Sequence, residues 1–483
     1  MIAAPKLEFA PILPELFLCG VAILGLLYEA MAPKAERLWH LALAFAGLIA
    51  AALATFPLWH WDGPSTVMRG MVSVDRFSVV SRLLLLGIAG MGLLFGTHYF
   101  ARSGDAYRGE FYPLILFATA GMTLITAAAD LILVFLALEI LSLALYVLTG
   151  ITGRRNSNEA AMKYFLLGAF SSAFFLFGVA WAYGATGTTG ITAIANALAG
   201  QTGDQALALL AFVFLATGFG FKVSAVPFHQ WTPDVYQGAP TPVTAFMSAA
   251  TKVAAFLALI RVLDVAFQPL TWDWTPVIWV LAAASVILGS VFAIAQSDIK
   301  RMLAYSSIAH AGFILTGLTS SNQIGIRAAM FYLVSYALMT LGAFGVVMLV
   351  SARGEEQTSL TAYAGLSKRS PLLAGLMTLF LLSLAGIPPT VGFVAKVGVF
   401  TAAIRAGHTS LALVGVVASV VAAFFYLRVI VLMYMQEPQG SFEEDRSLMP
   451  RVAIAIPAIL TLALGIFPGL IAGILERASI LRW

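Results

Sequence analysis

Three lysines, Lys222, Lys252 and Lys396, lie deep inside long apolar segments of this 483-residue chain. Two share a local signature, GFGFKV at 218–223 and GFVAKV at 392–397. An ammonium at mid-bilayer costs at least ~2.5–3.5 kcal/mol, so such a group faces a protein interior or a wet cavity and tends to act there. Glu139 is enclosed in the same way within LILVFLALEILSLALYVLTG (131–150), and His310 lies in mid-span. Together they suggest a pathway for protons or ions. A free lysine titrates near ~10.4, too high to release a proton readily at neutral pH. Burial disfavours the charged form and a nearby carboxylate favours it. At ~8 Å and an effective dielectric of ~20, such a pair interacts by about 2 kcal/mol. Moving the partner, or hydrating the cavity, would switch the lysine between holding and releasing its proton. Glu139–Lys222 is the candidate switch, with Lys252, His310 and Lys396 as the onward relay. The bland alternative is that these charges are buried pairs holding helices together, and that His310 is hydrogen-bonded core.

Helical spacing sharpens this reading. Glu139 shares a face with Ser142 and Tyr146, Lys252 with Ser248 and Thr244, and His310 has Ser306 and Ser307 one turn behind it. Each ionisable group thus sits on a narrow polar stripe of a greasy helix, as an interior-facing wet face requires. Arg82, Arg261 and Arg327 fall near span ends and are expected to snorkel. Arg428 is deeper, and pairing with an acid on another helix is left open. Asp298, Lys300 and Arg301 share a short loop, where a solvated charge cluster is the default.

The elements that must position these groups follow from composition. The chain is 60% hydrophobic and 10% charged, against roughly 25% charged in soluble domains, which makes it an all-α, polytopic integral membrane protein. Hydropathy windows of ~20 residues predict about 14 transmembrane helices. They fall near 11–31, 39–57, 78–98, 112–128, 130–150, 163–184, 207–228, 243–263, 275–297, 302–320, 325–351, 372–403, 411–435 and 451–473. The opening residues lack the basic region and small-residue cleavage site of a signal peptide. A single Cys19 excludes an internal disulfide and any four-thiolate iron–sulfur cluster. No histidine pair is spaced for haem or a structural metal, and no glycine fingerprint opens a nucleotide-binding fold. The net charge of +4 reflects neither nucleic-acid binding nor a basic tail. Its distribution says more. With both termini outside, the inward loops hold Lys34, Arg37, Arg102, Arg108, Arg154, Arg155, Lys163, Lys300, Arg301, Arg353, Lys368, Arg369, Arg446 and Arg451. The positive-inside bias favours that orientation, with the termini in the periplasm or its equivalent.

An internal repeat emerges from the motifs. The two GFxxKV segments lie 174 residues apart, and YVLTG (146–150) and FILTG (313–317) lie 167 apart in the same order. Repeats of about five helices fit both offsets; five is odd, so the copies would sit inverted in the membrane. Pro227 follows Lys222, and GIPPTVGF (386–393), with Pro388 and Pro389, interrupts the span before Lys396. Proline removes a backbone donor and clashes with the preceding turn, so the seventh and twelfth helices are expected to be broken. Broken helices at matching places of two halves point to a transport site. The expected organisation is 1–110 (three transmembrane helices), 111–266 (first five-helix repeat), 267–440 (second, inverted repeat) and 441–483 (C-terminal transmembrane helix).

Two segments carry a family resemblance. VPFHQWTPDVYQGAPTPVTAF (226–246) and QSDIKRMLAYSSIAH (296–310) closely resemble the antiporter-like subunits of proton-pumping NADH:quinone oxidoreductase, respiratory complex I. The likeness runs from about residue 110 to 435; residues 1–110 and the charged loop EEDRSLMPR (443–451) carry no motif. It implies that Glu139 and Lys222 form the coupled pair of the fifth and seventh helices. Lys252 becomes the central relay, and Lys396, on the broken twelfth helix, lies toward the exit. His310 matches the family's SSIxH histidine and His229 its PFHxW histidine; His229 and Arg428 are possible accessory groups. The resemblance further implies no cofactor in this chain, with FMN, iron–sulfur clusters, NADH and quinone bound by partner subunits. Those partners would be neighbouring antiporter-like subunits, small membrane subunits and, indirectly, a peripheral redox arm, in an energy-transducing inner membrane such as the bacterial cell membrane. Multisubunit cation/proton antiporters share the fold and the lysine–glutamate pair, and related membrane-bound hydrogenases or quinone reductases carry matching subunits; both remain alternatives.

Overall fold

The computed structural model describes residues 8–31, 37–102, 108–200, 202–352, 355–439 and 447–481. Lys34, Arg353 and Arg446, and residues 443–446 of the 443–451 loop, lie outside the described residues. The first half contains α1 (Leu13–Met31), α2 (Arg37–Thr55), α3 (Arg76–Arg102), α4 (Phe111–Ala127), α5 (Leu131–Thr149), α6 (Arg155–Thr186), α7 (Ile191–Ala199), α8 (Gln205–Val223), α9 (Trp231–Gly238) and α10 (Thr241–Arg261). The second half contains α11 (Thr271–Ile294), α12 (Ile299–Leu318), α13 (Gln323–Leu349), α14 (Leu366–Arg369), α15 (Pro371–Ala385), α16 (Val391–Arg405), α17 (Thr409–Met435), α18 (Leu448–Ile466) and α19 (Gly469–Ala478). Two short antiparallel hairpins interrupt the helices: β1 (Thr66–Val67) with β2 (Val72–Ser73), and β3 (Ser351–Ala352) with β4 (Glu355–Glu356).

Among the described residues, 11 helical segments are long and apolar enough to cross a membrane. The other three expected spans fall on α4, on α12 and on the divided pair α15–α16. Hydrophobic pattern alone did not show the amphipathic α7, nor the turn at Phe467–Pro468 that separates α18 from α19. A single C-terminal helix was expected there; proline cannot continue a ladder that needs its N–H. α10 is buried along its whole length and α13 almost so. They pack against each other at the centre of the bundle, while α6 and α17 turn rows of Leu, Val and Phe outward, toward lipid.

Several helices start at a side-chain cap. The carboxylates of Asp130, Asp204 and Asp298 and the amide oxygen of Asn322 accept N–H bonds at the starts of α5, α8, α12 and α13, satisfying donors no helix can pair internally. Asp130 and Asp298 do this in matching surroundings. Leu131 donates its N–H to the Thr189 carbonyl (2.9 Å) and Ile299 donates to the Thr358 carbonyl (2.7 Å), and both aspartates sit in isolated antiparallel bridges. The two constructions are 168 residues apart and lie at opposite ends of the bundle. The Asp130 bridge adjoins Met71 of the first hairpin; Asp298 lines a cleft with Lys163 and Asp234.

The helix breaks also match. α8 stops at Ser224 (φ 62°) and α15 at Gly386 (φ 85°), and cis bonds follow at Val226–Pro227 and Pro388–Pro389. That register is 162 residues, not the 174 of the GFxxKV motif. Lys222 therefore precedes its break whereas Lys396 follows its own, and the motif does not mark structurally equivalent lysines.

Two arginines expected to snorkel do not. Arg82 is fully buried and pairs with Glu15 of α1 at 2.9 Å, with a further bond to the Pro11 carbonyl. Arg261 is 2% exposed; it grips both Asp75 oxygens (2.9 and 3.1 Å), Ser73 and the Thr126 carbonyl. Burial pushes the Asp75 carboxyl up, but the Arg261 charge and bonds from Arg261 and Ser78 outweigh it and hold the group below its ordinary range. Arg327 remains partly exposed, 3.9 Å from Glu476. The expected solvated cluster at 298–301 is likewise ordered. Lys300 is buried against Glu356, Arg301 binds Asp234, and Asp298 is the α12 cap.

Candidate functional site

The first constellation gathers where α5, α6 and α8 meet. Lys222, in the last turn of α8, is 1% exposed and donates to the Ser142 hydroxyl at 2.8 Å. Ser142 in turn donates to the Leu138 carbonyl. The ammonium lies 5.5, 5.4 and 5.6 Å from the ring centres of Tyr146, Tyr164 and Phe221, within range of cation–π attraction. Glu139 is half-buried and accepts a bond from Ser172 of α6 rather than from Lys222. Ser142, which holds Lys222, lies on the α5 face of Glu139, so the two members of the candidate switch adjoin one helix face but hold separate neutral partners. Gly168 on α6 makes room for this: a Cβ there would stand 1.9 Å from the Tyr146 hydroxyl oxygen.

The second constellation lies between α10, α12, α13 and α17. Lys252, 1% exposed, donates to the Ser307 carbonyl and sits 5.6 Å from the Tyr336 ring centre. Tyr336 donates to the Ser307 hydroxyl at 2.9 Å. His310 bonds Tyr332 through Nδ1 (2.8 Å) and Tyr426 through Nε2 (3.3 Å), and Tyr426 also bonds Ser306. Lys252 and His310 are therefore linked through neighbouring residues of α12. Lys396, 4% exposed, donates to the Ala385 carbonyl (2.8 Å), an acceptor freed where α15 ends, and lies 4.8 Å from the Phe313 ring centre. Phe313 in turn contacts His310 edge-on.

Between the two constellations runs an aromatic stack whose Tyr236 end meets Ser307. Tyr164 stacks on Trp231 (4.6 Å), Phe221 packs on the same indole (5.2 Å), and Tyr236 meets it edge-on (6.1 Å). Trp231 also donates to the Phe221 carbonyl (2.8 Å), closing the broken end of α8.

Of the accessory residues, Arg428 donates to the Ile294 carbonyl at the C-terminus of α11 (2.9 Å), a backbone partner and not an acid. His229 lies half-buried beyond the first break, its Nδ1 buried without a hydrogen-bond partner among the described residues. Sequence reasoning missed Ser172, Tyr332, Tyr336 and Tyr426. The signal for the tyrosine pair was present: Tyr332 and Tyr336 lie one helical turn apart in an expected span, facing one side. Among the described residues no group of three or more His, Cys, Asp or Glu is placed to hold a metal.

Buried lysines on neutral oxygens, set beside two broken helices in an apolar bundle, define a multi-pass membrane protein with ionisable groups in its interior. The chain belongs to the family described as NADH:quinone oxidoreductase/Mrp antiporter, TM, whose model matches residues 128–422. It is similar to the NADH-quinone oxidoreductase subunit N of Rhodococcus opacus (strain B4), at 46% identity over 99% of this chain and 97% of the relative. It is also similar to a chain of respiratory complex I from Thermus thermophilus, with 36% identity, a TM-score of 0.82, and 96% and 99% of the two chains covered. A chain of the Mrp complex from Dietzia sp. DQ12-45-1b shares the fold at a TM-score of 0.85, with 23% identity and 98% and 97% coverage.

Proposed function

We propose that this chain is the N-type membrane subunit of an NADH:quinone oxidoreductase and translocates protons, driven by electron transfer from NADH to quinone in partner subunits. The observation that carries the reading is the state of the lysines. Lys222, Lys252 and Lys396 are 1%, 1% and 4% exposed, yet each donates to a neutral oxygen and, among the described residues, none is in an ion pair. A buried charge kept for structure is normally paired, because an unpaired one is costly. An ammonium on a hydroxyl or carbonyl can lose its proton and leave no stranded counter-charge.

In this reading Glu139 and Lys222 form the switch, Lys252 with His310 the central relay, and Lys396 the exit side. Pro227, Pro388 and Pro389 open the two helices and free backbone acceptors, as at Ala385. His229 and Arg428 are accessory. Residues 111–266 and 267–440 act as two inverted five-helix repeats within about 14 transmembrane helices, a division that the paired caps and breaks support. Residues 1–110 supply three further helices and 441–483 the C-terminal segment. Both termini face the outer side, and the end bearing Arg154, Arg155, Lys300 and Arg301 faces the cytoplasm of a bacterial cell, by the positive-inside bias.

Moving one charge against ~150 mV costs about 3.5 kcal/mol, which redox partners must supply. FMN, iron–sulfur clusters, NADH and quinone are accordingly assigned to other subunits. The Mrp likeness keeps a second reading open, a subunit of a cation/proton antiporter in which one gradient drives the other. Purification from native membranes in mild detergent separates them. Co-migration with flavin and iron–sulfur subunits and with NADH:quinone activity is the expected result. Co-migration with small membrane subunits alone, without redox activity, overturns it.

A further inference from the structure

At the basic end of the bundle a cleft of about 330 Å³ opens, lined by Arg154, Arg155, Ser157, Gln237, Lys300 and Glu356 among others. Its floor is a buried ion pair. Lys300 Nζ lies 3.1 Å from Glu356 Oε2 and donates to the Ala239 carbonyl at 2.6 Å. The other oxygen of Glu356 accepts the Thr241 N–H (2.9 Å), so the carboxylate delivered by the β3–β4 hairpin sits on the first residue of α10. The Lys300 side chain is 1% exposed and that of Glu356 is 17%; of the pair, the carboxylate is the one that water reaches.

From this point a polar stripe descends through an otherwise apolar helix. Thr241, Thr244, Ser248 and Lys252 are spaced by three, four and four residues, one face of α10. All four are buried. The stripe spans about 16 Å at 1.5 Å per residue. Thr244 and Ser248 donate to the Tyr236 and Ala245 carbonyls (3.1 and 3.0 Å), which leaves their lone pairs free to accept. The Thr241 hydroxyl, at the head of the stripe, is buried beside the Glu356 carboxylate; buried hydroxyls in a polar cavity are ordinarily bridged by water. The neighbouring carboxylates are otherwise engaged. Asp234 is held by Lys163 (2.8 Å) and Arg301 (2.6 Å), and Asp298 caps α12 through the Arg301 N–H.

We propose that Glu356 loads the relay with protons from the basic side of the membrane, with Lys300 as its gating counter-ion and the Thr241–Thr244–Ser248 face leading to Lys252. This rests on the proton-relay reading above. Burial pushes the Glu356 carboxyl up, and the Lys300 charge with the Thr241 N–H pulls it down further, so it is ionised while Lys300 is in place. When Lys300 turns to the Ala239 carbonyl alone, burial dominates and the carboxylate takes a proton from cleft water. That proton passes by way of water on the hydroxyl face to a neutral Lys252 amine, which becomes an ammonium. Glu356, ionised again, recaptures Lys300.

The test uses the assembled complex in membrane vesicles made permeable to protons, so that a weak acid has no gradient to dissipate. Glu356→Gln is expected to assemble on native gels but to lower quinone-reductase turnover at least about tenfold, where a lost acid–base group ordinarily costs ~10²–10⁴-fold. Glu356→Asp should recover part of it, and added formate should restore turnover to Glu356→Ala, which a purely structural carboxylate would not allow. Full turnover in Glu356→Gln while Lys252→Met is inactive overturns the loading role. So does equal loss in the Gln and Asp variants without formate rescue. Full turnover in Lys252→Met, with full pumping in sealed vesicles, would instead remove the relay reading beneath it.

Discussion

Replacing Lys222 by methionine separates a working proton site from a structural one. The substitution removes one hydrogen bond from a charged donor, worth ~1.5–3 kcal/mol, and attraction to three rings at 5.4–5.6 Å, each worth about 0.5–2 kcal/mol. Against this it removes the desolvation penalty of a fully buried ammonium, which is of comparable size. Ser142 keeps the Leu138 carbonyl, so no donor is stranded, and the methionine sulfur gains ~0.3–1.5 kcal/mol from the same rings. The stability terms nearly cancel, and the thermal midpoint of the purified complex should not fall. The proton path, by contrast, loses a site that nothing adjacent replaces. A barrier higher by only ~1.4 kcal/mol slows turnover tenfold, so quinone-reductase activity and proton pumping should fall together by at least that factor. Activity assays and dye-quench pumping on vesicles, beside thermal unfolding of the complex, read all three quantities. Unchanged turnover and pumping would refute the relay role, and a midpoint that drops in step with activity would make Lys222 a structural residue.

Glu139→Gln should impair both activities while Glu139→Asp is milder, because Ser172 can still donate to a shorter carboxylate; equal losses, measured in the same vesicles, would point to packing. Tyr426→Phe removes the hydroxyl shared by Ser306 and His310 and should slow turnover without preventing assembly on native gels; no change would exclude Tyr426 from the relay. Asp75→Asn leaves Arg261 buried without its counter-charge and should cost about 3–5 kcal/mol, read as a lower thermal midpoint. Because the Asp75 carboxyl is held below its ordinary value, its stabilisation is fully present above ~3.9 and is lost only as pH falls through the lower folded value. The gap between wild type and variant should therefore stay constant from pH 7 to 5; a gap that closes within that interval contradicts the pairing.

Local rules governed everything that could be read from the chain alone. Twenty-residue apolar windows located the spans, since any segment crossing hydrocarbon must be apolar and must pair its own backbone. The cost of a charge in lipid singled out Glu139, Lys222, Lys252 and Lys396 by their positions within apolar runs. Pro227, Pro388 and Pro389 placed the two breaks because proline acts within its own turn. Partner choice depends on packing between distant segments, and there only the folded bundle was informative. Arg82 and Arg261 look like snorkelling residues in sequence; their acids lie 67 and 186 residues away, and folding alone brings Glu15 and Asp75 to them. Glu139 and Lys222 bind Ser172 and Ser142 instead of each other for the same reason. The GFxxKV match was misleading because a six-residue likeness carries no information about which side of a break it occupies. Glu356, one acid among several in a polar connection, became a candidate loading group only when a two-residue strand carried it to the start of α10. Segment chemistry is inherited from composition and period, whereas contact chemistry arises only where segments remote in the chain close on one another.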